Sequence, residues 1–181
     1  MSGRNDYSAG WYAGYNSLEN AAYNSRYRAG YDAGIYDAGQ WHEGYNDFLN
    51  GNAKKSPACK YYYWGYNSAE SEFNQGYNDA RGCGSYAIDS AAYLTGWNRG
   101  CDQNYNDGYN DIYFQSLPRQ RSDSERYEEG YVQGYNDAWY RGFAHGLAGF
   151  AKECENMAYV ADYDLGSQQR LPQITLQPFF V

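Results

Sequence analysis

Aliphatic side chains are scarce in this chain. Leu, Ile, Val and Phe together number 22 of 181 residues. With a net charge of −8, so few apolar groups would ordinarily leave a chain disordered. No apolar run approaches the ~18 residues of a membrane-crossing helix. Basic residues are also short, 14 against 22 acidic ones and in no block, which argues against sequence-blind nucleic-acid binding. The four cysteines, Cys59, Cys83, Cys101 and Cys154, form no Cys-x-x-Cys pair and read as reduced thiols packed as small hydrophobes. The only histidines, His42 and His145, fit no zinc-ligand spacing; His145, on a face of small residues, is expected to pack and hydrogen-bond. The start "MSGRNDYSAG" lacks the features of a secretion signal. A cytoplasmic protein without metal or cofactor is the expectation.

Aromatic residues and glycine take the place of the missing aliphatics: 24 Tyr, 5 Trp and 21 Gly. A core built from them must be aromatic, and its phenol hydroxyls need polar partners. The tripeptide Gly-Tyr-Asn occurs six times, and Asp follows it at 44–47, 76–79, 108–111 and 134–137. Gly-aromatic pairs fall, among other places, at Gly44–Tyr45, Gly65–Tyr66, Gly76–Tyr77, Gly96–Trp97, Gly108–Tyr109, Gly130–Tyr131 and Gly134–Tyr135, and from Gly44 to Gly130 the spacing alternates long and short with a period of about 32 residues. The long gaps hold turn-forming residues, among them Pro57, Gly82, Gly84 and Pro118, and each gap holds a candidate helix N-cap: Ser56 just before Pro57, Asp89 or Ser90, and Ser122 or Asp123. The short gaps hold no breaker. In 127–150, Tyr127, Tyr131, Tyr135, Trp139, Phe143 and Leu147 recur every four residues beside Gly130, Gly134, Gly142 and Gly146, a helical and not a strand pattern.

Glycine inside a helix costs about 1 kcal/mol relative to alanine. Its repetition makes sense where two backbones touch and the adjacent ring covers the contact. The pairs are therefore structural knots. The sequence predicts an all-α protein of four or five helices, made of tandem antiparallel helical hairpins over 1–165, followed by an extended C-terminal tail over 166–181 that Pro172 and Pro178 keep from coiling.

The stretch "GYNDFLNGNAKKSPACKYYYWGYNSA" at 44–69 resembles ribosome modulation factor and related small phage and bacterial proteins. The shared features are Gly44 and Tyr45, Gly51 seven residues on, Pro57 in a loop, and the closing Trp64, Gly65 and Tyr66; residues 75–100 and 108–131 are similar. The resemblance implies helical-hairpin units and a ribosome-associated role. The family's RNA binding depends on a strongly basic chain, which this one is not.

Repetition of the acids argues against catalysis, which needs one special pair in one environment. The expected function is that of a non-enzymatic, phage-encoded factor that binds and inhibits or modifies a host machine. Asp47, Asp79, Asp111 and Asp137 are candidate partner contacts, imitating a row of phosphates before a basic groove. In the tail, Ile174, Leu176, Phe179 and Phe180 are candidates to dock on a partner or a second copy. A ribosome-associated factor and a virion assembly protein are the alternatives. A protein partner is expected; direct nucleic-acid binding and a membrane are not.

Overall fold

The computed structural model describes residues 3–21, 24–121, 123–153 and 156–174. Among these the protein is all-helical, without a strand. The helices are α1 (Gly3–Tyr15), α2 (Ser25–Leu49), α3 (Lys60–Arg81), α4 (Ala91–Tyr113), α5 (Glu125–Ala148) and α6 (Met157–Ile174). The chain divides into two units, residues 1–76 with 87–96 and residues 77–86 with 97–181. The first holds α1, α2, most of α3 and the opening of α4; the second holds the rest. No helix of the described residues is long and apolar enough to cross a membrane.

The starts of α2, α4, α5 and α6 are each tied to a buried tyrosine. Asn24 accepts the Tyr27 amide hydrogen bond at 2.9 Å, and Ser90, Ser124 and Asn156 accept those of Tyr93, Tyr127 and Tyr159, each at 3.2 Å. Such caps contribute about 1 kcal/mol. Ser90 is thus the cap of α4. The cap of α5 is Ser124, later than Ser122 or Asp123, and α3 begins at Lys60, past Ser56. The observed caps stand three residues before the buried ring, so the ring's seat fixes where the helix begins. Tyr27, Tyr62 and Tyr93 form the core of the first unit, and Tyr127 and Tyr159, with Ile112, Ala138 and Ala158, that of the second.

At the crossings, glycine meets backbone. A methyl group added to Gly10 would stand 2.0 Å from the Tyr27 carbonyl oxygen, and one on Gly30 2.1 Å from that of Tyr7. Methyl groups added to Gly44 and Gly65 would stand 2.0 and 1.9 Å from the carbonyl oxygens of Tyr62 and Trp41, and one on Gly96 2.0 Å from that of Phe73. In the second unit, methyl groups added to Gly108 and Gly130 would stand 2.0 and 1.9 Å from the Tyr127 and Tyr105 oxygens, and one on Gly142 2.1 Å from that of Tyr159. Gly76 is buried as well. With a Cα–Cβ bond of about 1.5 Å, these oxygens lie within about 3.5 Å of the glycine Cα, the separation of a Cα–H···O contact. Close approach offsets the helix propensity that glycine gives up.

The direction of these crossings corrects the antiparallel expectation. Gly10 meets Tyr27 and Gly14 meets Tyr31; Gly130 meets Tyr105 and Gly134 meets Tyr109; Gly142 meets Tyr159 and Gly146 meets Tyr163. Contact positions rise together along both helices, so the pairs run in the same sense where they touch. The connections explain it. They are eight to eleven residues long, and at about 3.3 Å per residue such a segment can carry the chain back the ~15 Å that separates a helix end from a contact ten residues' rise away.

Two further expectations change. Six helices are present among the described residues, not four or five. The boundary at 166 falls inside α6, so residues 166–174 are helical and not extended. Gly166 is the reason: it belongs to a crossing, where an added methyl would stand 2.3 Å from the Phe143 carbonyl oxygen and 2.8 Å from the Leu147 nitrogen, and that contact holds the helix past it. Pro172 stands in the last turn of α6, beyond that anchor.

Gly39 in α2 differs from all of these. A methyl group there would meet nothing within 4 Å. Gly39→Ala is expected to stabilise the protein by roughly 0.5–1 kcal/mol, read as an upward shift in thermal melting.

Candidate functional site

The "GYND" motif has a stereochemical role in the fold. The Tyr62 hydroxyl donates to Asp47 Oδ2 at 2.9 Å and accepts from the Lys55 amide at 3.2 Å. The Tyr127 hydroxyl donates to Asp111 Oδ2 at 2.7 Å and accepts from the Gln120 amide at 2.9 Å. In each case the acid stands three residues after the knot glycine, and the amide belongs to the following loop. One buried phenol thus ties a helix end to the connection beside it. The next ring along the helix closes the other side: the hydroxyls of Tyr66 and Tyr131 donate to the carbonyls of Asn52 at 3.2 Å and Leu117 at 3.1 Å.

Asp47, Asp111 and Asp137 are therefore engaged within their own units. Asn52, Lys55 and the Tyr62 hydroxyl hold the Asp47 carboxyl below its usual range. Asp79 occupies the equivalent place after Gly76 and is partly buried. Asp137 accepts from the Tyr109 hydroxyl at 3.2 Å and from Gln133 at 2.8 Å. Burial first, then the neighbouring carboxylates, push Tyr109 and Tyr127 up to about 12. Of the knot rings, Tyr45, Tyr66, Tyr77, Trp97 and Tyr109 are partly buried, but Tyr135 is exposed. Gly134 is the second contact of a crossing that Tyr131 already covers, so the ring after it has no seat.

The last crossing departs from the pattern twice. His145 replaces the acid after Gly142, and its Nδ1 lies 3.0 Å from the Tyr159 hydroxyl. Asp162 replaces a glycine. It stands one helical turn before Gly166 in α6, where the four-residue spacing of crossing glycines would put another, and it is buried. Burial pushes its carboxyl pKa up. An acid raised on folding opposes the fold once ionised, so stability falls as pH rises from the unfolded value near about 3.9 through the raised one. Asp162→Gly is expected to stabilise the protein at pH 7 by roughly 1 kcal/mol, and Asp162→Asn to flatten that part of the pH profile. Thermal melts from pH 3 to 8 read both; a destabilised Asp162→Gly at pH 7 would contradict the assignment.

The first unit carries a recess of a different kind. Tyr7, Ser8 and Trp11 of α1, Asp37 of α2, and Lys60 and Tyr61 of α3 line a space of about 440 Å³. Four-residue spacing puts Tyr7, Trp11 and Tyr15 along one side of α1. The Trp11 indole N–H donates to Asp37 Oδ2 at 2.8 Å. Trp11 stacks on Tyr15 with centroids 4.8 Å apart, and the Tyr61 ring lies 5.9 Å from Trp11 and 5.8 Å from Tyr15. Trp64 meets Tyr61 edge-on at 5.2 Å and is half exposed. The Lys60 ammonium sits over the Tyr61 and Trp64 rings, 4.6 and 5.4 Å from their centroids. Lys60 is the first residue of α3, the helix end where the backbone dipole disfavours a cation. Its charge is held by ring faces instead.

No protein-family model matches the chain, and neither a curated protein nor a solved structure is similar enough to match it. The resemblance to ribosome modulation factor is one of short Gly-Tyr motifs alone.

Among the described residues, no group of three or more His, Cys, Asp or Glu side chains could hold a metal ion. Ile174 ends α6; Leu176, Phe179 and Phe180 lie outside the described residues. Trp11, Asp37, Lys60 and Tyr61, which form the recess, escape motif reasoning because each comes from a different repeat position. The run "KYYYW" at 60–64 was the available signal: more rings in one turn than a single helix face can bury.

Proposed function

We propose that this protein is a non-enzymatic binding factor that docks on a protein partner, a macromolecular machine of a host cell, and inhibits or modifies it. Tandem glycine-knotted helix pairs form a stiff support, and the partner contact lies on exposed aromatic and sulfur-bearing side chains. One observation carries this reading: Tyr12, Tyr36 and Trp64 in the first unit, and Phe114, Tyr140, Phe150 and Met157 in the second, are each more than half exposed although the chain is poor in apolar residues. Tyr, Trp, Phe and Met are enriched at protein interfaces. The engaged carboxylates of Asp47, Asp111 and Asp137 count for this surface over a row of phosphate-mimicking acids.

Capture from host lysate on the immobilised full chain tests it. A specific protein should be retained at roughly 0.5 M salt, where exposed charge contacts are screened, and lost when Tyr36 and Tyr140 are replaced by alanine. Retention only at low salt, with loss on reversal of exposed acids, would replace this reading with the acidic mimic. Co-sedimentation with ribosomes would favour the ribosome-associated factor.

A further inference from the structure

We propose that the recess between α1, α2 and α3 of the first unit is a binding site for a guanidinium group, an arginine side chain presented by a partner. This deepens the proposed function and rests on it for its biological sense, but the recess can be tested by itself.

Three features point to this occupant. The first is the rings. Trp11, Tyr15, Tyr61 and Trp64 gather at one place, and ring faces attract cations, planar guanidinium above all. The second is that these faces already hold a cation: Lys60 lies over two of them, from a helix end where its charge is otherwise disfavoured. The third is Asp37. Its Oδ2 takes the Trp11 indole N–H at 2.8 Å, which fixes the carboxylate at the recess wall. Its other oxygen is left to accept from a ligand, and a guanidinium can donate to it while stacking on the rings. The volume of about 440 Å³ accommodates an arginine side chain. The excess of 22 acidic over 14 basic residues favours approach of a basic partner. The Lys60 side chain is long and flexible and can swing aside; in the unbound protein it shields the rings.

The experiment is a titration of the full, isotope-labelled chain, following the Trp11 indole N–H resonance by NMR. The probes are arginine amide, lysine amide, citrulline amide and adenosine monophosphate. Arginine amide is expected to shift that resonance saturably. Citrulline amide, which has the same shape without the charge, should bind at least about tenfold more weakly, since a charge-assisted contact is lost. Asp37→Asn, which keeps an oxygen for the indole, should abolish the arginine response and leave the melting temperature unchanged. Lys60→Ala should strengthen arginine binding several-fold by clearing the rings. Equal response to citrulline amide, or none to arginine amide, overturns the proposal. Preference for the nucleotide, lost in Lys60→Ala, would assign the recess to an anionic planar ligand instead. Failure here leaves the lysate capture unaffected, and failure of the capture leaves this titration unaffected.

Discussion

Gly130→Ala is expected to destabilise the protein by about 3 kcal/mol or more, enough to unfold much of the second unit at moderate temperature. The added methyl would stand 1.9 Å from the Tyr105 carbonyl oxygen and 2.8 Å from its carbon. Neither atom can turn away, because both belong to the α4 backbone. The helices must separate by more than an ångström. That opens the facing contact at Gly108, where an added methyl would stand 2.0 Å from the Tyr127 oxygen, and unseats the Tyr127 ring. Alanine gains about 1 kcal/mol of helix propensity, and the clash outweighs it. Gly39→Ala makes the same exchange where space is open, so the two substitutions should move the melting temperature in opposite directions. Calorimetry on both reads the difference directly. If Gly130→Ala melts at or above the parent, close backbone contact is not what holds these helices together.

Tyr127→Phe should cost about 2 kcal/mol while leaving every ring contact in place. The hydroxyl it removes satisfies two groups at once, the Asp111 carboxylate at 2.7 Å and the Gln120 amide at 2.9 Å. Both would be left without that partner beside a buried ring. The same chemistry sets an alkaline limit. Folding raises Tyr109 and Tyr127 to about 12 from 10.0, burial being the larger cause and the adjacent acids the next; Tyr45 and Tyr62 are raised too. A group whose proton is held more tightly in the fold supports it fully below the unfolded value. That support disappears as pH climbs from about 10 to about 12. Circular dichroism against pH should show cooperative loss of helix in that window, and Tyr127→Phe should remove part of the slope.

Much of this architecture was legible in the order of residues. Glycine every four positions beside a ring, with breakers confined to the long gaps, marked α3, α4 and α5 to within a few residues. The sense in which helices cross was not legible, because glycine spacing is the same whichever way the neighbour runs. Gly166 was misread because it follows a charged stretch and precedes Pro172, and its partner Gly146 lies 20 residues away. The use of Asp47 and Asp111 was hidden for a similar reason. An acid in a repeated tetrapeptide looks solvated until the phenol it serves, 15 and 16 residues on, is placed beside it. The recess around Trp11 draws one residue or a few from each of three helices, so no local motif announces it.

The tyrosine ties join residues close in sequence: Tyr62 to Asp47, Tyr127 to Asp111 and His145 to Tyr159 are 15, 16 and 14 positions apart. Low contact order of this kind favours rapid folding. During synthesis, a helix can settle on the one translated just before it, long before the remainder of the polypeptide has emerged.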